Sequence, residues 1–410
     1  MNPNRYCAPR LCGERYEQRM KHILILGDGM ADRPLSELGG KTPLEAARTP
    51  NMDFIAKNGK CGLLKTLSGD MPLGSDIANM SILGYDPKKY YTGGRGPIEA
   101  ASMGIKLGKD ETAFRCNLVT VENGIMKDYS GGQVSKKESM EIIDFLNNRL
   151  AREGIQFYSG VGYRNIMVAK GDFNVECAPP HDIIGEKISL NMAKGKDPAL
   201  LNELMLKSQQ LLSGHEVNKK RIKKGIQPAN MIWLWGGGKR PQLPPFKEKF
   251  HMDGAMISAV DLLKGIAKSA GMDVIEVPGA TAYLDTNYKG KADYAVNALE
   301  DHDFVYLHIE APDEASHEGN LAEKIKAIEK VDWVAGRVMK KMDGDFSIAV
   351  LPDHATPIEV KTHTSEPVPF AIYSTRKEGD RVQEFSEKAA KGGIYGLRQG
   401  IEFMDLFLSK

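Results

Sequence analysis

Three apolar runs in this chain each lead into an acidic residue, and that pattern narrows the possible folds sharply. They are His22-Ile23-Leu24-Ile25-Leu26 into Gly27-Asp28-Gly29, Phe304-Val305-Tyr306-Leu307-His308-Ile309 into Pro312-Asp313, and Ser347-Ile348-Ala349-Val350-Leu351 into Pro352-Asp353-His354. Short aliphatic runs without polar alternation read as strands buried on both faces, as in a parallel sheet. Open α/β sheets gather ligands at the carboxyl ends of their strands, so these carboxylates are expected to meet although they are far apart in sequence. Histidines accompany two of them, in Asp313-x-x-x-His317 and Asp353-His354, and His363 follows in Thr362-His363-Thr364. The set Asp28, Asp313, His317, Asp353, His354 and His363 is too large for one tetrahedral ion and suits two. Other histidines read differently: His308, in mid-strand, as a hydrogen-bonded core residue, and His22, His215, His251 and His302 as surface residues.

A chain of 410 residues exceeds one ordinary core, so two domains are expected. Residues 1–20 are polar, lack an apolar period and read as a flexible extension. A helical pattern from Thr42-Pro43-Leu44 to Gly59 gives the first strand–loop–helix unit. Between about Gly108 and Gly238 the character changes, with strands at Ala113–Val121 and Asn165–Ala169 and a polar helix at Met192–Leu212. Trp235-Gly236-Gly237-Gly238 and the Pro-rich stretch to Pro245 then read as a linker. Beyond it the α/β pattern resumes, with helices at Ile257–Ala270 and Leu321–Met342. The arrangement predicts one discontinuous α/β domain (21–107 and 239–410) with a second domain (108–238) inserted into it.

The formal net charge of +1 offers no electrostatic case for nucleic acid or an acidic membrane as partner. No apolar stretch approaches the roughly 20 residues of a membrane span, and the N-terminus lacks a secretory pattern, which points to the cytoplasm. The five cysteines are scattered, without a Cys-x-x-Cys pair, and suggest neither a disulfide framework nor a thiolate zinc site.

A nucleophile is offered by Met71-Pro72-Leu73-Gly74-Ser75-Asp76. Gly74 permits a sharp turn, and a helix starting there would set Ser75 where backbone amides and the helix dipole favour phosphate. Taken alone, Ser75 reads as a helix cap; beside a two-metal site it reads as a group whose hydroxyl an ion would activate. Cations whose forks suit carboxylate or phosphate come from Arg115, from Arg164 in Val161-Gly162-Tyr163-Arg164-Asn165, and from the cluster around Arg221. A run such as Lys219–Lys224 is ordinarily a solvated helix face. Lys291 belongs to the α/β part and could reach the same strand ends.

Together, Asp28-Gly29, Gly74-Ser75-Asp76, Glu310-Ala311-Pro312-Asp313-Glu314-Ala315-Ser316-His317, Pro352-Asp353-His354 and His363-Thr364-Ser365-Glu366-Pro367 resemble the archaeal-type branch of the cofactor-independent phosphoglycerate mutases, within the alkaline phosphatase superfamily. The resemblance runs from Lys21 to the C-terminus. It implies an alkaline-phosphatase-like α/β core, a mostly parallel sheet covered by helices with a smaller α/β domain inserted. It also implies one ion on Asp28, Ser75, Asp353 and His354 and another on Asp313, His317 and His363, with Mn²⁺ usual and Mg²⁺, Co²⁺ or Zn²⁺ possible. Ser75 would carry the phosphoryl group between 3- and 2-phosphoglycerate without bisphosphoglycerate. Lys291 would contact that group and Arg164 the substrate, with Arg115, His181, Asp182 and Arg221 as further candidates. Rival readings are a metal-dependent phosphomonoester hydrolase, another phosphomutase on the same core, or a non-catalytic binding protein that keeps the fold.

Overall fold

The structure, a computed structural model, describes residues 20–380 and 382–409. The expected extension therefore lies almost wholly outside the described residues. In chain order the strands are β1 (Lys21–Gly27), β2 (Lys60–Lys65), β3 (Glu111–Glu122), β4 (Ile125–Asp128), β5 (Ile155–Val161), β6 (Arg164–Lys170), β7 (Asn174–Glu176), β8 (Lys194–Lys196), β9 (Met231–Gly238), β10 (Gly254–Ile257), β11 (Asp273–Val274), β12 (Phe304–Ile309), β13 (Phe346–Leu351), β14 (Val368–Ser374) and β15 (Leu397–Gln399). An eight-stranded sheet runs β11-β10-β12-β1-β13-β14-β2-β15. Its half from β11 to β13 is parallel, while β14 pairs antiparallel with both β13 and β2.

The non-alternating runs form the three central strands, and Ile23–Leu26, Phe304–Leu307 and Ile348–Leu351 are all fully buried. Helices cover both faces. On one, Leu321–Lys341 packs Ile328, Val331 and Val334 against Ile23, Ile25 and Val305; on the other, Asp261–Ser269 packs Leu263 and Ile266 against Leu24, Leu26 and Tyr306. A second, five-stranded sheet contains β4-β3-β6-β5 with β9 on the other edge of β3, every pairing antiparallel. It has a separate core around Phe114, Trp233 and Leu146, and all of its strands fall between Glu111 and Gly238.

Several local expectations change. The pattern from Thr42 to Gly59 is two helices, Pro43–Ala46 and Pro50–Asn58, because Pro50 has no N–H to donate and forces Thr49 out of the helical region. The stretch from Met192 yields β8 before the helix Ala199–Leu212 begins after Pro198. Ile257 ends β10 rather than starting a helix. His22 is buried, edge-on to the Phe407 ring at 5.4 Å, not on the surface. Among the described residues no helix is long and apolar enough to cross a membrane.

Candidate active site

β12, β1 and β13 lie side by side and in parallel, with Leu26 level with both His308 and Leu351. Asp28, Asp313 and Asp353 therefore leave the sheet at the same edge. Gly29, at φ 61°, makes their convergence possible: a Cβ there would lie 2.4 Å from Asp313 Oδ1 and 2.8 Å from Thr356 Oγ1.

The side chains gather into two adjoining groups, Asp28/Asp353/His354 and Asp313/His317/His363, each offering ligand-type atoms within 4.8 Å of one another, and Asp28 shares a third such group with His308 and Glu310. In the second group His317 Nε2 lies 3.0 Å from Asp313 Oδ2 and 3.2 Å from His363 Nε2. In the first, His354 Nε2 lies 3.4 Å from both Asp28 Oδ1 and Asp353 Oδ2. Ser75 opens the helix Ser75–Ile82 after an extended Gly74, and its Oγ reaches His354 Nε2 at 3.1 Å. Asn79, one turn on, donates to Asp353 Oδ2 at 2.8 Å. His308 is a buried, hydrogen-bonded strand residue with Nε2 2.9 Å from Asp28 Oδ2 and 3.4 Å from Glu310 Oε2.

The donor chemistry fits a pair of divalent cations. Asp28 Oδ1 and Glu310 Oε2 are buried without a hydrogen-bond partner. Burial and the Asp353 carboxylate raise Asp28 well above the usual carboxylate range; burial and Asp313 push Glu310 up to about 8. Burial also acts to raise Asp313, yet the hydrogen bonds of His317 and His363 hold it below the ordinary range, and Asp313 in turn lifts His317 to about 9. Carboxylates crowded in a low-dielectric interior repel each other strongly. Hard oxygen donors joined by imidazoles suit divalent metal ions.

Asp28, Ser75, Glu310, Asp313, His317 and His363 form one side of a cleft of about 670 Å³, with Asp353 and His354 fully buried behind them; its far side belongs largely to the second sheet and the segment leading to it. Arg115, in β3, lies with its guanidinium 4.4 Å from the Trp235 ring centroid and its Nε 3.1 Å from Glu99 Oε2, without hydrogen-bond alignment. Trp235 Nε1 donates to Asn117 Oδ1 at 3.1 Å, and the His181 ring meets Trp235 edge-on. Arg164, at the start of β6, rests on Tyr163. Arg95 lines the cleft near Ser75, with Nε 3.7 Å from Asp76 Oδ2.

Three of the substrate-binding candidates are not brought to the cleft. Arg221 is buried inside the second lobe, donating to the carbonyls of Gln227, Gly131 and Gly132 and to Glu138 Oε2; it is the inward face of a helix whose lysines are solvated. Asp182 is exposed and touches His181 at 3.5 Å. Lys291 lies beneath the floor of the site, fully buried, donating to His308 O at 3.0 Å, with burial lowering it to about 8. The sequence, in which Gly93-Gly94-Arg95-Gly96 is only a weak signal, assigns no role to Arg95, and it gives none to Glu99, Glu310, Tyr129, Tyr163 or Trp235, all of which line the cleft. Glu310 was available, since it follows β12 directly, as Asp28 follows β1.

Comparison with known proteins agrees with this architecture. A structure of a protein from Pyrococcus horikoshii matches at a TM-score of 0.82 and 34% identity over 95% of this chain and 97% of that one. The cofactor-independent phosphoglycerate mutase from Thermoplasma acidophilum matches at 0.67 and 31% over 95% and 99%. The α/β class is thus that of a large, mostly parallel sheet carrying a smaller lobe. A family model described as 2,3-bisphosphoglycerate-independent phosphoglycerate mutase matches residues 56–218. The enzyme of that name from Methanosarcina barkeri is 50% identical over 396 residues, spanning 95% of this chain and 99% of the relative; that from Ignicoccus hospitalis is 39% identical over 96% and 97%. The chain belongs to the 2,3-bisphosphoglycerate-independent phosphoglycerate mutase family.

Proposed function

We propose that this chain interconverts 3-phosphoglycerate and 2-phosphoglycerate without bisphosphoglycerate, in glycolysis and gluconeogenesis, by way of a phosphoserine at Ser75. The observation that carries the reading is the position of Ser75 Oγ, 3.1 Å from His354 Nε2 at the edge of an anionic ligand cluster, across a cleft lined by Arg95, Arg115 and Arg164. The names borne by relatives across nearly the whole chain support it.

Asp28, Ser75, Asp353 and His354 would hold one divalent ion, and Asp313, His317 and His363 the other, with Mn²⁺ favoured. Bound there, such ions would favour ionisation of the serine hydroxyl and offset charge on a transferring phosphoryl group. The remaining chemistry belongs to the chain. In the first half-reaction the Ser75 Oγ–P bond forms as the bond from phosphorus to the C3 oxygen breaks, and the serine proton is balanced by the one the glycerate oxygen gains. In the second, the C2 oxygen bonds phosphorus as the Ser75 Oγ–P bond breaks, and the proton that the 2-hydroxyl loses balances the one regained by Ser75 Oγ. Glycerate must stay bound between the halves, so Arg115 and Arg164 would grip its carboxylate through forked hydrogen bonds. Residues 108–238 would act as an inserted domain that closes over the site and excludes water, turning near Lys106–Gly108 and Gly236–Pro245.

The test is conversion of 3-phosphoglycerate in Mn²⁺ without bisphosphoglycerate, with inorganic phosphate measured in parallel. Isomerisation without phosphate release is expected; stoichiometric phosphate release would make the protein a hydrolase. A cross-link holding the lobes apart should stop turnover, and retained turnover would end the closure proposal.

A further inference from the structure

Thr356 is fully buried, and its side-chain oxygen touches both ligand groups. Oγ1 lies 2.6 Å from Asp313 Oδ1 and 3.1 Å from His354 Nδ1. A hydroxyl has one proton to donate, and an ionised carboxylate has none. The Thr356 proton therefore goes to Asp313, and the same oxygen must accept a hydrogen bond from His354 Nδ1–H. Two consequences follow. His354 is held in the Nδ1–H tautomer, which leaves the Nε2 lone pair facing Ser75 Oγ. Asp313 has Oδ1 occupied, which leaves Oδ2 turned to His317 and His363.

The position of that hydroxyl is itself firmly set. Thr356 N donates to Ala31 O at 3.1 Å, and Thr356 O accepts from Lys324 Nζ at 2.9 Å. Lys324, fully buried on the helix beneath, also reaches Asp32 Oδ2 at 2.7 Å, and Ile358 N donates to that same oxygen at 3.1 Å. One ammonium thus ties the loop after β1 to the loop after β13. Groups of this kind orient ligands and fix tautomers at metal centres.

We propose that the Thr356 hydroxyl is a positioning group shared by the two cation sites, so that its loss weakens both together. The inference rests on the two-ion reading above. Chelator-stripped protein titrated with Mn²⁺ alone, followed by calorimetry, tests it on the wild type, Thr356→Val and Thr356→Ser. The wild type should take up two ions, the valine variant should lose about tenfold or more in affinity at both sites, and the serine variant should stay within a few-fold. Unchanged binding by the valine variant, or weakening at one site only, would overturn the proposal while leaving the two-ion reading intact. A wild type that binds no Mn²⁺ would remove the two-ion reading itself. Should the valine variant not fold, nitrogen-15 histidine spectra of the metal-free wild type decide: His354 is expected as the Nδ1–H tautomer, and the Nε2–H form would overturn the proposal.

Discussion

The cleft has two unlike walls. One is anionic, largely buried and carried at the ends of parallel strands; the other is cationic, aromatic and borne by an antiparallel sheet and its approaches. On the first wall, position follows directly from topology, because adjacent parallel strands in register deliver their next residues to one line. On the second, Arg115 lies inside β3, Arg164 at the start of β6 and Trp235 within β9. They become neighbours only through antiparallel pairing between strands far apart in sequence. On the proposed reading the work would be split: the strand-end wall would hold ions and phosphate, and the antiparallel wall would recognise the rest of the substrate.

The sharpest way to break this division is Ser75→Ala. Removing the proposed nucleophile should cost on the order of 10⁴-fold or more in kcat, read by NMR of phosphoglycerate interconversion, while Mn²⁺-dependent stabilisation against heat should persist through the other proposed ligands. A variant within tenfold of wild type would take catalysis away from the strand-end wall. Next in size is Arg221→Met. Its guanidinium serves three carbonyls and Glu138 in a buried setting, so the change should cost about 3 kcal/mol in denaturant unfolding with KM unmoved. Unchanged stability with a raised KM would make Arg221 part of the recognition wall after all.

How legible each wall was in the sequence follows the same division. Asp28, Asp313 and Asp353 could be read because a buried strand has a distinctive composition and its end a predictable neighbourhood; His317, His354 and His363 came with them by short spacing. Gly74-Ser75 stood out as a turn into a helix. Arg115, by contrast, sits in an apolar-looking strand, and only the β3–β9 pairing sets it over Trp235. Arg221 had the opposite fault: it stands in a charge run whose period does not reveal that this one side chain points inward. Lys291, given to the phosphoryl group by the family resemblance, lies fully buried and donates to His308 O, outside the lining of the cleft. Proline likewise outweighed periodicity at Pro50 and Pro198, where local covalent geometry overrode the apolar pattern.

The recognition wall is tested more finely by Arg164→Ala and Arg115→Ala. Loss of a charged hydrogen bond to a carboxylate should lower kcat/KM roughly ten- to hundredfold, mainly through KM. An equal fall in kcat and kcat/KM would shift these arginines toward the chemistry.

The smallest effect separates the two ends of β1. Asp28 and His22 are both buried, and on the proposed reading a divalent ion would relieve the first. Burial lowers His22 to about 4, against a weaker opposing pull from Asp303, so the imidazole stays neutral in the fold where the unfolded chain would protonate it. The unfolded state then binds more protons between about pH 6.5 and pH 4. The stability this contributes is complete above about pH 6.5 and falls as the pH drops through that window. The loss should reach about 2 kcal/mol by pH 5. His22→Gln should flatten that part of the stability profile whether or not Mn²⁺ is present. If Mn²⁺ alone removed the acid sensitivity, the sensitivity would belong to the strand-end carboxylates and not to His22.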